Sequence, residues 1–179
     1  EKTTRSKKTL HQLLLDHGVT AYLCGHLHTL VLGLGERMYH RHVGYLSTDS
    51  DQIFPSSYLE LELGDFKHHD MFRIFAFDNG FFNFIDLPSQ FYLDQHPIIL
   101  ITNPKDARLI SVNEPLTKMK QIKQIRMLIF SLHKISKIIV SIDDKSLDSI
   151  PYQPYKDDAS KIRPNLQHLY AIDYDPALY

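Results

Sequence analysis

A single cysteine, Cys24, stands in 179 residues, so no disulfide can form within the chain. Tryptophan is absent, and so is any Asn-x-Ser/Thr acceptor for N-glycosylation. No apolar run reaches the length of a bilayer-spanning helix, and no secretory leader pattern opens the chain. Charge of one sign is also lacking. A net charge of −1 gives no global pull toward nucleic acid or an anionic membrane, so no nucleic-acid partner is expected. One local exception is the acid-free run of Lys118, Lys120, Lys123, Arg126, Lys134 and Lys137. It reads as a solvated face, with a partner or lipid-headgroup surface as the other reading.

What is present centres on Gly25-His26-Leu27-His28, placed directly after the apolar run Ala21-Tyr22-Leu23-Cys24. Glycine lets the chain leave a strand sharply. Two imidazoles one residue apart then diverge into the space beyond the strand's carboxyl end, where neutral ring nitrogens suit zinc, iron or manganese. Upstream, Leu10, Leu13, Leu14 and His17 fall at helical spacing. Gly18 stands where a helix end favours a residue tolerant of positive φ. Residues 19–24 read as a short buried strand, with Cys24 a buried strand residue and not a reactive thiol. Helix, glycine, strand and histidine loop make an α/β unit, and open α/β sheets hold ligands at strand carboxyl ends.

The stretch Leu13-Leu14-Leu15-Asp16-His17-Gly18-Val19-Thr20-Ala21-Tyr22-Leu23-Cys24-Gly25-His26-Leu27-His28 resembles the last metal-binding motif of calcineurin-like metallophosphoesterases. Stretches further along the chain narrow the resemblance to the transmembrane protein 62 family. They are Leu59 through Lys67, Phe72-Arg73-Ile74-Phe75-Ala76-Phe77-Asp78, Leu100-Ile101-Thr102-Asn103-Pro104-Lys105, Asn113-Glu114-Pro115-Leu116 and Gln124 through Ser131. The resemblance implies a dinuclear centre of divalent manganese, iron or zinc, with His26 and His28 as ligands to different ions. It also implies hydrolysis of a phosphate ester, and a membrane attachment through segments outside these residues.

The earlier motifs of that superfamily are missing here: an Asp-x-His, a Gly-Asp-x-x-Asp, an Asn-His pair and one more histidine. Asp94-Gln95-His96 spells the first but precedes an apolar run instead of ending one. Gly64-Asp65 begins the second but meets His68 where an aspartate is required. The expectation is therefore a fragment that does not catalyse alone. A non-catalytic interaction module built on a degenerate phosphoesterase scaffold is the alternative reading.

The expected fold is α/β followed by all-β. Residues 1–93 would be the carboxyl-terminal part of a phosphoesterase α/β sandwich, and residues 94–179 a small immunoglobulin- or fibronectin-like β-sandwich. Residues 33–57 read as a loop with at most one short strand. Residues 58–63, 71–78 and 81–87 read as three successive antiparallel strands, the last two joined at Asn79-Gly80. Pro88, Ser89 and Pro97 bracket the junction. Beyond it, strands are expected over 98–102, 125–132, 138–142 and 169–174, with a hairpin tip at Asp143-Asp144-Lys145. A helix over 116–128 competes with part of this. Ile99, Ile101, Ile125, Leu128, Phe130, Ile139 and Ile142 are the expected core. Of the remaining histidines, His40, His42, His68 and His69 read as surface, and His17 as a helix-end contact.

Overall fold

The computed structural model describes residues 7–25, 39–47, 52–64, 66, 71–88, 96–119, 121–147 and 168–175. Its contacts divide the chain into two units. The first takes residues 1–73, 86–89 and 106–114, and the second takes 74–85, 90–105 and 115–179. Most of the described structure is β-strand.

In the first unit, helix α1 (Leu10–Asp16) begins because the Thr9 hydroxyl accepts from the Gln12 amide, 3.1 Å away. It ends at His17, and Gly18 comes next at φ +59°, a conformation that glycine enters without a Cβ clash. Strand β1 (Ala21–Cys24) is next, then β2 (Tyr39–Ser47) and β3 (Ile53–Glu62). The sheet order is β1-β3-β2, with β1 parallel and β2 antiparallel to β3. Leu15 carries the helix onto the sheet. It is buried, its carbonyl accepts from the Ser56 hydroxyl at 2.9 Å, and its side chain lies over Gly44.

Three expectations from the sequence are corrected by the sheet. Residues 33–57 are not mostly loop, because within them β2 runs nine residues and β3 starts at Ile53. Gly44 misleads, because it serves helix packing and not a turn. A Cβ on it would stand 2.5 Å from Leu15 Cδ1. Strand β1 is not fully buried either: Leu23 is 47% exposed and its neighbours are half-buried, since β1 is an edge strand among the described residues. Finally, β3 does not pair with the next two strands as an antiparallel set. It pairs with β1 and β2, while β4 (Met71–Asp78) and β5 (Phe81–Pro88) pair with each other.

The β4–β5 hairpin turns at Asn79 (φ 52°) and Gly80 (φ 89°), the two positive values that a tight hairpin turn requires. In the second unit, β6 (Ile98–Asn103), β7 (Gln124–Phe130) and β10 (Leu169–Asp173) form an antiparallel sheet of order β10-β7-β6. On one face of it Ile125, Met127, Ile129, Tyr170 and Ile172 form a core, with Ile135, Ile138, Val140, Ile142, Leu147 and Tyr174 packed against it. Full burial of such a side chain contributes about 1.5–3 kcal/mol.

The expected core is therefore one residue out of phase at several points. Ile98 and Leu100 are buried while Ile99 and Ile101 are about half exposed, and Ile139 is exposed. Along β7, Met127 and Ile129 are buried, with Leu128 and Phe130 only partly so. These strands are apolar on both faces, so alternation alone does not say which set faces inward. The competing helix exists only as α2 (Leu116–Met119), well short of β7. Strands β8 (Ser141–Ile142) and β9 (Lys145–Ser146) flank Asp143 and Asp144, both at positive φ, so the hairpin tip is found.

The Leu15–Gly44 contact is testable. Gly44→Val should lower unfolding free energy by about 1–3 kcal/mol through overpacking. In combination with Leu15→Ala, the loss should be smaller than the sum of the two single losses, read from denaturant midpoints.

Candidate functional site

The site is built from the carboxyl end of β1 outward. Register places Glu60 between Tyr22 and His40, and Cys24 beside Glu62. Because alternate residues share a face, Tyr22, Cys24, Glu60, Glu62, His40, His42 and Tyr58 all project from the same side of the sheet. Helix α1 adds His11 to that side.

These side chains converge on Glu60. One carboxylate oxygen lies 2.6 Å from His42 Nε2, and the other accepts from Cys24 Sγ at 3.8 Å. The His42 ring stacks on Tyr58, with centroids 4.7 Å apart and planes 19° apart. His11 Nδ1 lies 3.0 Å from the Tyr58 hydroxyl, and the His40 ring meets His42 edge-on at 4.7 Å. Burial first, and then the Glu60 charge, push the Tyr58 hydroxyl above its ordinary range, so it stays protonated and can donate to His11. Burial, with Glu60 and Glu62 next in weight, likewise pushes the Cys24 thiol up. A thiol held protonated is neither a nucleophile nor a ready metal ligand. Burial is the larger cause although the residue is only half-buried, and the two carboxylates add to it.

A second arrangement fixes the end of β3, the strand beside β1. Arg73 donates from Nε and Nη2 to the two oxygens of Asp86, at 2.6 and 2.9 Å. The same guanidinium donates to the carbonyls of Leu61 and Glu62, both at 3.0 Å. The Leu63 amide in turn donates to the Cys24 carbonyl at 3.1 Å. The strand end that leads into Gly25 is thus tied through β3 to a largely buried, forked ion pair.

His26 and His28 lie outside the described residues, as do His68 and His69. Among the described residues, no group of three or more His, Cys, Asp or Glu side chains is arranged to hold a metal ion. His42 is engaged with Glu60, and Cys24 is held as a thiol. Imidazole nitrogens chemically suit zinc, iron or manganese, and two of them alone are an incomplete donor set for two ions. His40 is exposed, as expected. His42 is not free surface, because Glu60 holds it. The sequence did carry a signal for Glu60, in the Leu59-Glu60-Leu61-Glu62-Leu63 alternation that sets both glutamates on one face. Its partner His42 is hidden in one dimension, because strand β2 is. Arg73, a lone cation in an apolar aromatic strand, is a signal that the sequence reading passes over.

Comparison with known proteins adds the wider setting. Residues 93–179 match the family model of the TMEM62 Ig-like domain. The chain is 42% identical over 125 residues, 69% of its length, to transmembrane protein 62 of Mus musculus. It is 27% identical over 172 residues, 80% of its length, to a putative metallophosphoesterase of Arabidopsis thaliana. It spans 17% and 23% of these two relatives. No solved structure matches. Among the described residues, no helix is long and apolar enough to cross a membrane.

Cys24 is the sole cysteine, so thiol labelling reports on this site alone. Iodoacetamide should modify the folded chain slowly at neutral pH, with the rate rising only above the ordinary thiol range. Glu60→Gln should move that rise to lower pH, because it removes one of the charges opposing the thiolate. An unchanged profile would show that Glu60 does not act on the thiol.

Proposed function

We propose that residues 1–93, which lead into the match of residues 93–179 to the TMEM62 Ig-like domain, are the closing part of a calcineurin-like phosphoesterase domain. Residues 94–179 come after it as the Ig-like domain. The whole protein would hydrolyse a phosphate ester and be held at a membrane by segments outside this chain; the Arabidopsis relative is named a putative metallophosphoesterase and the mouse relative a transmembrane protein. The observation that supports the reading most is local. Helix α1, Gly18 at positive φ and strand β1 run in order into Gly25, so the Gly-His-x-His step comes after a real strand end beside a parallel neighbour.

In this reading His26 and His28 each ligate one of two divalent ions. Ions of manganese, iron or zinc held there would supply Lewis-acid charge for phosphate-ester hydrolysis. The chain's own residues hold the ligands in place. Gly25 releases the backbone from β1, and β3 fixes where that release occurs through the Leu63–Cys24 and Arg73–Asp86 bonds. Burial, with Glu60 and Glu62 beside it, disfavours the Cys24 thiolate as a competing ligand.

Two measurements test the reading together. The 179-residue chain, supplied with manganese, should show no turnover of bis(4-nitrophenyl) phosphate. The full-length protein should turn it over, and His28→Ala should lower that rate on the order of a hundredfold or more. Turnover by the short chain that His28→Ala abolishes would overturn the fragment reading. A full-length protein that is folded but inactive would favour the scaffold alternative.

A further inference from the structure

The family boundary at residue 93 and the division by contact do not coincide, and the mismatch has chemical content. Residues 106–114 lie inside the Ig-like match but belong to the unit of α1 and the β1-β3-β2 sheet. Residues 74–85 lie before the match but belong to the unit of the β10-β7-β6 sheet.

The first strap answers a backbone need. Strand β1 pairs with β3 only from Leu59 onward, which leaves the β3 edge at Ser57 without a neighbouring strand from β1. Ser57 is nonetheless buried. Its carbonyl accepts from the Ser111 hydroxyl at 2.7 Å and from Asn113 Nδ2 at 2.8 Å, and its hydroxyl accepts from the Val112 amide at 3.2 Å. Asn113 Nδ2 also reaches the Val19 carbonyl just before β1, at 3.4 Å. The strap is internally braced: the Glu114 carboxylate accepts from the Ser111 amide at 2.7 Å, as the reaching-back acid of a capping box does. Arg41 of β2 donates to the carbonyls of Arg108 and Ile110.

The hairpin tip does the converse. Asp78 Oδ2 accepts from the Thr102 hydroxyl at 2.7 Å and from Arg126 Nε at 2.9 Å. Asn83 Nδ2 donates to the Thr102 carbonyl at 2.9 Å. Phe81, Phe82 and Asn83 are all buried. Strands β6 and β7 of the Ig-like region thus take polar partners from residues that precede it.

We infer that the Ig-like region and the segment before it are interleaved: Ser111–Glu114 complete the sheet that carries Gly25-His26-Leu27-His28, and the Asp78–Asn83 hairpin completes the Ig-like sheet. The Ig-like region is then a structural part of the phosphoesterase-like unit and not a separable appendage. This does not depend on whether His26 and His28 bind metal.

Hydrogen exchange on the full chain tests it by crossing the boundary in both directions. Asn113→Ala, a change within the Ig-like match, should speed exchange roughly tenfold in peptides covering 19–24 and 56–59, leaving β7 and β10 unchanged. Asp78→Asn, a change before the match, should speed exchange in 98–103 and 124–130 and leave α1 unchanged. Acceleration confined to the mutated side of residue 93 in both variants would overturn the inference. A second measurement needs no destabilising variant. A protease site inserted between residues 92 and 93 is cleaved after folding, and the products are run on a sizing column. Interleaved pieces elute together; pieces that separate under native conditions contradict the inference.

Discussion

A buried carbonyl on a strand edge must find a donor, and the Ser57 carbonyl is where this constraint shapes the first unit. Strand β3 extends past the start of β1, so pairing alone leaves its edge open. Ser111 and Asn113 close it from far along the chain. Leaving such a group unsatisfied costs about 1–3 kcal/mol, a large share of the marginal stability of a domain this size. Asn113 Nδ2 also reaches the Val19 carbonyl, 3.4 Å away, on the approach to β1. Local chemistry at one edge therefore reaches the strand that leads into Gly25.

Around that strand end two kinds of electrostatics divide the work. The Arg73–Asp86 pair is mostly buried and forked, so its geometry is rigid, and its remaining donors go to backbone carbonyls of β3. The Glu60 cluster is more open: the His42 and Glu60 side chains are 25% and 37% exposed, so solvent weakens their pair. We assign the first a positioning role; the second engages His42 and adds to the burial that pushes the Cys24 thiol up. Neither supplies a metal ligand.

Much of this is legible in the residues, and the failures have definite causes. Thr9 to Gly25 can be read because helical spacing, a positive-φ glycine and an apolar strand agree with one another. Asn79-Gly80 and Asp143-Asp144 declare their turns by residue type alone. Strand β2 escapes because its glycine answers to Leu15, a contact outside the reach of any local pattern. The phase of β6 and β7 is lost because both faces are apolar, and only the three-dimensional neighbours decide between Ile98 and Ile99. Of the candidate site, the motif and the Glu60 alternation are visible in one dimension. The partnerships of Glu60 with His42 and of Ser57 with Asn113 are not, since each joins residues distant in sequence.

We propose that the Gly-His-x-His step that follows β1 supplies two metal ligands in the whole protein. Metal content measures this most directly. Full-length protein, purified without chelator and reconstituted with manganese or zinc, should retain about two ions per chain after gel filtration. His26→Ala and His28→Ala should each remove close to one of them while the far-ultraviolet circular dichroism spectrum stays unchanged. Equal metal content in the wild type and both variants would contradict the account.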